Sequence, residues 1–136
     1  MTAMIERTFV MLKPDAVKRG LIGEIIHRIE RKGYRICEAK TMTLSEPILR
    51  EHYAHLTGKP FFPEILAYMT SGPVFAMIVE GEDAIHGVRT LMGPTKACDF
   101  TAGTIRGDYA TSTSMNVIHG SDSPESADAE IKRFFG

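Results

Sequence analysis

The sequence is short of cysteine, of charge imbalance and of long apolar runs, and each shortage excludes something. Its two cysteines among 136 residues, Cys37 and Cys98, form no CxxC pair and no disulfide framework. A reducing compartment, the cytoplasm, is the expected setting. The net charge is -1, from 16 basic and 17 acidic residues. That balance argues against a protein that grips extended nucleic acid through bulk positive charge, though it leaves room for a local basic site. The longest apolar runs have strand length, far below the ~20 residues of a membrane span. The first residues, Met1 to Arg7, lack the order of a signal peptide. The familiar phosphate loops are missing too. No two glycines are separated by one residue, so there is no GxGxxG, and Gly58-Lys59 runs into Pro60 rather than Ser or Thr. No GxSxG is present, and no four-ligand metal set is complete.

What is present fits one globular domain, residues 1–136, with 43% hydrophobic and 24% charged residues. Phe9-Val10-Met11-Leu12 reads as a strand buried on both faces. Pro14 suits the first turn of a short helix. Leu21, Ile22, Ile25, Ile26 and Ile29 recur at helical spacing, with Gly33 where a C-cap belongs. Tyr34 to Leu44 reads as a strand, with Cys37 as a small core residue. Ser45 is the expected N-cap of a helix from Glu46 to His55. On that helix His52 and His55 share a face, read as solvated or partly packed rather than metal-ligating. Phe61 to Thr70 is helical by pattern, Val74 to Val79 a second apolar strand, and Ala84 to Met92 a helix ended by Gly93-Pro94. From Gly93 to Ser114 the pattern dissolves, and a structureless run of that length in a small domain is uncommon and often functional. Val117-Ile118 is a short strand, and Ser123-Pro124-Glu125 opens a last helix. Strands separated by helices point to one sheet with helices packed on it.

Three features carry chemistry. Asn116-Val117-Ile118-His119-Gly120-Ser121-Asp122 presents a histidine at a strand end, followed by a glycine that admits close approach. An imidazole with an ordinary pKa of ~6.5 is largely neutral, hence nucleophilic, at physiological pH. Thr104-Ile105-Arg106-Gly107-Asp108 offers a planar guanidinium for phosphate oxygens and a threonine able to cap a short turn, with Arg89 upstream. Lys13-Pro14-Asp15 places a lysine at the end of the first strand. Taken singly, each has an ordinary reading: a structural histidine, a surface arginine paired with Asp108, an exposed lysine.

Together they resemble the nucleoside diphosphate kinases, from about Arg7 to Phe134. The blocks that carry the resemblance are Lys13-Pro14-Asp15, Gly33-Tyr34, Lys59-Pro60-Phe61-Phe62, Ser71-Gly72-Pro73-Val74, Gly103-Thr104-Ile105-Arg106-Gly107-Asp108 and Asn116 to Asp122. The resemblance implies an α+β sandwich of ferredoxin-like form, with a four-stranded antiparallel sheet. It implies ping-pong transfer of the γ-phosphoryl group of a nucleoside triphosphate, mainly ATP, to a nucleoside diphosphate through a phosphohistidine. His119 then matches the nucleophile, attacking through Nδ1, and Glu130 matches the carboxylate that orients its ring. Ser121 matches the serine near the phosphoryl group. Lys13, Tyr53, Arg89, Thr95, Arg106 and Asn116 match phosphate and sugar contacts. Phe61 matches the aromatic on which the base stacks, with Ile65 and Thr113 beside it and Phe62 in the core. The resemblance further implies Mg²⁺ carried mainly by the nucleotide phosphates and no metal held by the protein itself. It implies no stable nucleic acid partner, no membrane, and a homo-oligomer, a hexamer ahead of a tetramer. Two departures stand out: Ala97 and Ala102 occupy places where the family usually has proline. A looser loop and a weaker oligomer are expected from them. The competing reading is a ferredoxin-like module that binds nucleic acid or regulates without kinase activity. No Lys/Arg-Gly-Phe/Tyr-Gly-Phe block supports it.

Overall fold

The apolar run Phe9–Leu12 divides its side chains between two cores. Val10 and Leu12 join Ile25, Ile29, Val88, Met92 and Ile105 on one side. Phe9 and Met11 join Leu49, Met69 and Phe134 on the other. A pleated strand alternates its side chains between faces, so a strand covered on both sides must be apolar throughout. The computed structural model that shows this describes residues 4–136. In chain order its elements are β1 (Ile5–Leu12), α1 (Pro14–Lys18), α2 (Ile22–Lys32), β2 (Arg35–Met42), α3 (Glu46–His52), a 3₁₀ turn (Ala54–Leu56), α4 (Phe62–Met69), β3 (Val74–Glu82), α5 (Ala84–Met92), a second 3₁₀ turn (Ala97–Asp99), α6 (Ile105–Tyr109), β4 (Ile118–Gly120) and α7 (Pro124–Phe135).

The four strands form one antiparallel sheet in the order β2-β3-β1-β4. This is the ferredoxin-like arrangement expected from the resemblance, with α2 and α5 on one face and α3, α4 and α7 on the other. On α2, burying Ile25 and Ile29 contributes about 1.5–3 kcal/mol each, more than any propensity term along the helix. Gly33 ends α2 in the left-handed conformation at φ 111°, and Tyr34 N–H donates to the Ile29 carbonyl at 3.3 Å. No helix among the described residues is long and apolar enough to cross a membrane.

Four expectations need correction. The helix read as Glu46 to His55 stops at His52, and a separate 3₁₀ turn follows. His52 and His55 therefore do not share a face: His52 is buried and His55 is exposed. The stretch from Gly93 to Ser114 is not structureless, since it holds the turn Ala97–Asp99 and all of α6. Cys37 is half-buried at a bulge in the edge strand β2, its thiol 3.5 Å from a Glu80 carboxylate oxygen, and it belongs to neither core. The bulge shifts the register between Ile36 and Glu38, which produced the imperfect alternation visible in the sequence. The charged pair Glu6 and Arg7 also hid the first half of β1, which starts at Ile5.

Candidate active site

β4 is three residues long and lies against β1 with His119 opposite Met11. Gly120 follows because a Cβ there would sit 2.6 Å from the Met92 sulfur. The close approach expected at this glycine is thus the packing of β4 onto α5. Val117, just before the strand, is buried and left-handed at φ 64°. That conformation costs a β-branched residue about 1–2 kcal/mol, and surrounding structure must hold it. Here the Lys13 N–H donates to the Val117 carbonyl at 2.8 Å and the Ile118 N–H to the Asn116 carbonyl at 2.8 Å. The kink sets Asn116 beside Lys13, whose ammonium donates to Asn116 Oδ1 at 2.7 Å.

His119 Nε2 lies 2.7 Å from Glu130 Oε1 on α7, and Ser121 Oγ donates to the same oxygen at 2.7 Å. Burial opposes charge on Glu130, but the hydrogen bonds from His119 and Ser121 and the His119 charge hold its pKa below the ordinary value. An ionised carboxylate only accepts, so Nε2 carries the hydrogen, and whenever the ring is neutral its lone pair lies on Nδ1. His119 lines a cleft of about 460 Å³ that Arg89, Tyr53 and Asp122 also line. Arg89 is braced there by donating to the Gly120 carbonyl at 3.1 Å. The Tyr53 phenol is pushed up to about 12 by burial and by Glu130, and so remains a donor.

Tyr53 also lines a second cavity of about 650 Å³, so the two adjoin at this side chain as two parts of a groove. Lys13, Phe61, Ile65, Thr95 and Thr113 line this second part. Phe61 is 45% exposed whereas Phe62 is 3% exposed, which divides the pair into an open ring and a core ring as expected. Burial, with the Arg106 charge adding, lowers Lys13 to about 8, while Asp15 pulls it back up. Asp15 is in turn bound by the Tyr68 hydroxyl from α4.

Arg106 differs from its expected surroundings. It is only 3% exposed and donates to the carbonyls of Asn116 at 3.3 Å, Gly93 at 3.2 Å and Ile118 at 2.7 Å. Burial, then the Arg89 charge, lowers it to about 10, so it stays charged at neutral pH. Asp108 pairs with Arg28 instead, at 2.7 Å. Thr104 does cap α6, its hydroxyl accepting from Gly107 N–H at 3.0 Å. Arg106 lines neither part of the groove and acts as a brace beneath it.

Sequence reasoning saw His52 only as a solvated or partly packed helix residue and missed its contact with His119. Its ring stands at 81° to that of His119 with centroids 4.8 Å apart, and it also contacts Phe134 and Tyr53. Arg133 Nη1 lies 2.9 Å from its Nδ1. Arginine cannot accept, so Nδ1 accepts and Nε2 bears the hydrogen. Burial, then His119, lowers His52 to about 3 and keeps it neutral. Its one signal was sequence adjacency to Tyr53. His52, His119 and Glu130 bring ligand atoms within 4.8 Å of one another. Hydrogen bonds from Arg133 and to Glu130 occupy His52 Nδ1 and His119 Nε2, while His52 Nε2 is buried without a partner among the described residues. The charges of Arg133 and Lys13 oppose a cation there.

The chain is similar to known proteins along nearly its whole length. The family model described as "Nucleoside diphosphate kinase" matches residues 6–136. The chain is 54% identical over 131 residues to the nucleoside diphosphate kinase of Brevibacillus brevis, covering 96% of this chain and 89% of the relative. It is 53% identical over 132 residues to that of Symbiobacterium thermophilum, covering 97% and 88%. Among solved structures, apo nucleoside diphosphate kinase from Encephalitozoon cuniculi superposes with a TM-score of 0.93 at 48% identity, covering 96% of this chain and 89% of that one. The halophilic enzyme from Halobacterium salinarum in complex with CDP gives a TM-score of 0.93 at 51% identity, covering 97% and 88%.

Proposed function

Because this chain belongs to the nucleoside diphosphate kinase family, we propose that it moves the γ-phosphoryl group of a nucleoside triphosphate, mainly ATP, to a nucleoside diphosphate through a phosphohistidine at His119. The observation that carries the reading is the Nε2 hydrogen bond to Glu130, which leaves Nδ1 as the unengaged nitrogen of a ring that lines the groove. Nδ1 forms the N–P bond as the bond from Pγ to the β-phosphate oxygen breaks, and the diphosphate leaves with that oxygen. Nε2 keeps its proton throughout. The positive charge that develops on the ring is matched by Glu130, which the Ser121 hydroxyl holds in place. The diphosphate acceptor then reverses the same step, so one groove serves both nucleotides.

Lys13, Arg89 and Tyr53 are the phosphate-facing donors. At an effective dielectric of ~20, a charge contact at ~4 Å is worth about 4 kcal/mol before desolvation. Arg106 adds its charge from below while supporting the backbone at Asn116 and Ile118. Phe61 stacks the base, with Ile65, Thr95 and Thr113 as the other walls. Stacking tolerates any base because every base has a π-face. The halophilic relative was solved with CDP, which supports a nucleotide in this groove. The carboxylate nearest the nucleophile is committed to His119 and Ser121, so the donor set suits a divalent ion carried on nucleotide phosphates rather than an all-protein cage. Mg²⁺ is that ion, and it neutralises phosphate charge when bound.

Residues 1–136 form the single catalytic domain, the protein works in the cytoplasm, and it assembles as a homo-oligomer, a hexamer ahead of a tetramer. The outer edge of β2, which pairs with no further strand among the described residues, and the exposed Met4 and Ile5 support assembly. The nucleic-acid reading is not favoured, since Phe9 is buried under α7 and the sheet offers no aromatic face there. Incubation with labelled ATP and Mg²⁺ should yield acid-labile, base-stable phosphate on the protein and none on His119→Ala. Label that persists in the variant would overturn the assignment.

A further inference from the structure

Two segments distant in sequence meet at the open end of the groove. Ala97 begins the turn Ala97–Asp99 behind Lys96, whose backbone is extended at φ -82° and ψ 130°. The first N–H of such a turn has no acceptor within it. It donates instead to Thr113 Oγ1 at 2.8 Å. The Thr113 carbonyl accepts from Asn116 Nδ2 at 3.0 Å, and Asn116 Oδ1 accepts from the Lys13 ammonium at 2.7 Å. Thr113 is therefore clamped twice, by its side chain to the loop and by its backbone to the pair that holds Lys13. Thr95, two residues before Ala97, lines the same cavity as Thr113 and Lys13.

We propose that Thr113 is a positioning residue: the tether from the Ala97 N–H through Thr113 and Asn116 to Lys13 sets the loop wall of the groove relative to its phosphate end. The inference rests on the nucleotide reading of the groove. It depends on an N–H at position 97, which proline lacks. The tether spans two walls that a bound nucleotide must touch together, so its loss acts on nucleotide affinity before it acts on the chemical step.

The test is a double-mutant cycle on KM and kcat for nucleoside diphosphates with ATP as donor. Thr113→Val removes the acceptor and Ala97→Pro removes the donor. Each should raise KM about 3- to 10-fold, the range of one modest hydrogen bond, and lower kcat by less. The double variant should be no worse than the weaker single, because both break one contact. Thr113→Ser, which keeps the hydroxyl, should recover most of the loss. Multiplying KM effects in the double variant, a Thr113→Ser as impaired as Thr113→Val, or lowered melting temperatures with unchanged KM would each overturn the tether. If Ala97→Pro does not fold, Thr113→Val against Thr113→Ser decides alone. Phosphohistidine formation from ATP is followed in the unmutated chain alongside: its presence with no coupling sinks the tether only, and its absence sinks the nucleotide reading with it.

Discussion

The two ends of the groove are built by opposite means. At the His119 end, the reacting pair sits on regular structure, His119 on β4 and Glu130 on α7, with Ser121 buried just past the strand. Glu130 Oε1 alone accepts from two side chains. At the other end, Thr95, Thr113, Ser114 and Met115 are exposed and belong to no helix or strand. Their geometry rests on single hydrogen bonds such as Ala97 N–H to Thr113. The chemistry needs atoms held to a fraction of an ångström, which favours rigid elements with a packed supporting shell. On the proposed function, accepting any base needs a wall that tolerates differences, which a loop together with one aromatic ring would supply.

The largest way to break the contrast is at the rigid end. Glu130→Gln removes the charge opposite His119 while keeping the shape, and phosphohistidine formation should slow on the order of 10²–10⁴-fold. Rapid-quench measurement with labelled ATP checks it, and a loss under tenfold would show that the Glu130 charge does not support the ring. Next comes Arg106→Ala. It removes a donor from three carbonyls, of which Asn116 keeps the Ile118 N–H, so the chain should lose about 2–4 kcal/mol of stability as well as turnover. Arg31→Ala, on an exposed helix face, should stay within about 0.5 kcal/mol. Denaturant midpoints of the two variants make the comparison; equal values would remove the brace from beneath the groove. Phe61→Ala tests the tolerant end. It should raise KM for purine and pyrimidine diphosphates alike, at about 1–3 kcal/mol per lost stack, with melting temperature little changed because the ring is already half exposed. A selective loss for one base class would point to edge recognition instead of stacking.

The same contrast explains what could be read from the sequence. His119 and Lys13 stood out in the sequence as residues at strand ends, but the roles expected of them and of Phe61 came from the six motif blocks of the resemblance. The alternate cores under Phe9–Leu12 were legible from an unbroken apolar run. His52 was not, because its role comes from α3 meeting α7, and a histidine's neighbours across the fold leave no periodic trace. Arg106 was seen as a charge but not as a brace, since its three partners are backbone carbonyls from two other segments. α6 was overlooked because five residues do not establish a period, although its cap, Thr104, was visible.

The smallest expected effect is at Ala97, where the sequence suggested only looseness. The structure puts a hydrogen bond where proline would have put stiffness. Proline at 97 would fit behind the extended Lys96 backbone. It would reduce the freedom of the unfolded chain, a gain of about 0.4–1 kcal/mol. It would also delete the N–H to Thr113, a loss of about 0.5–1.5 kcal/mol. In the unmutated chain these oppose, so Ala97→Pro should leave the melting temperature level or slightly lower. In a Thr113→Val background the hydrogen bond is already gone, only the entropic gain remains, and the same substitution should raise the melting temperature by a few degrees. Scanning calorimetry on the four proteins reads the difference. The same shift in both backgrounds would mean that the loop is stiffened by its backbone alone, and that the tolerant end of the groove has no tether to lose.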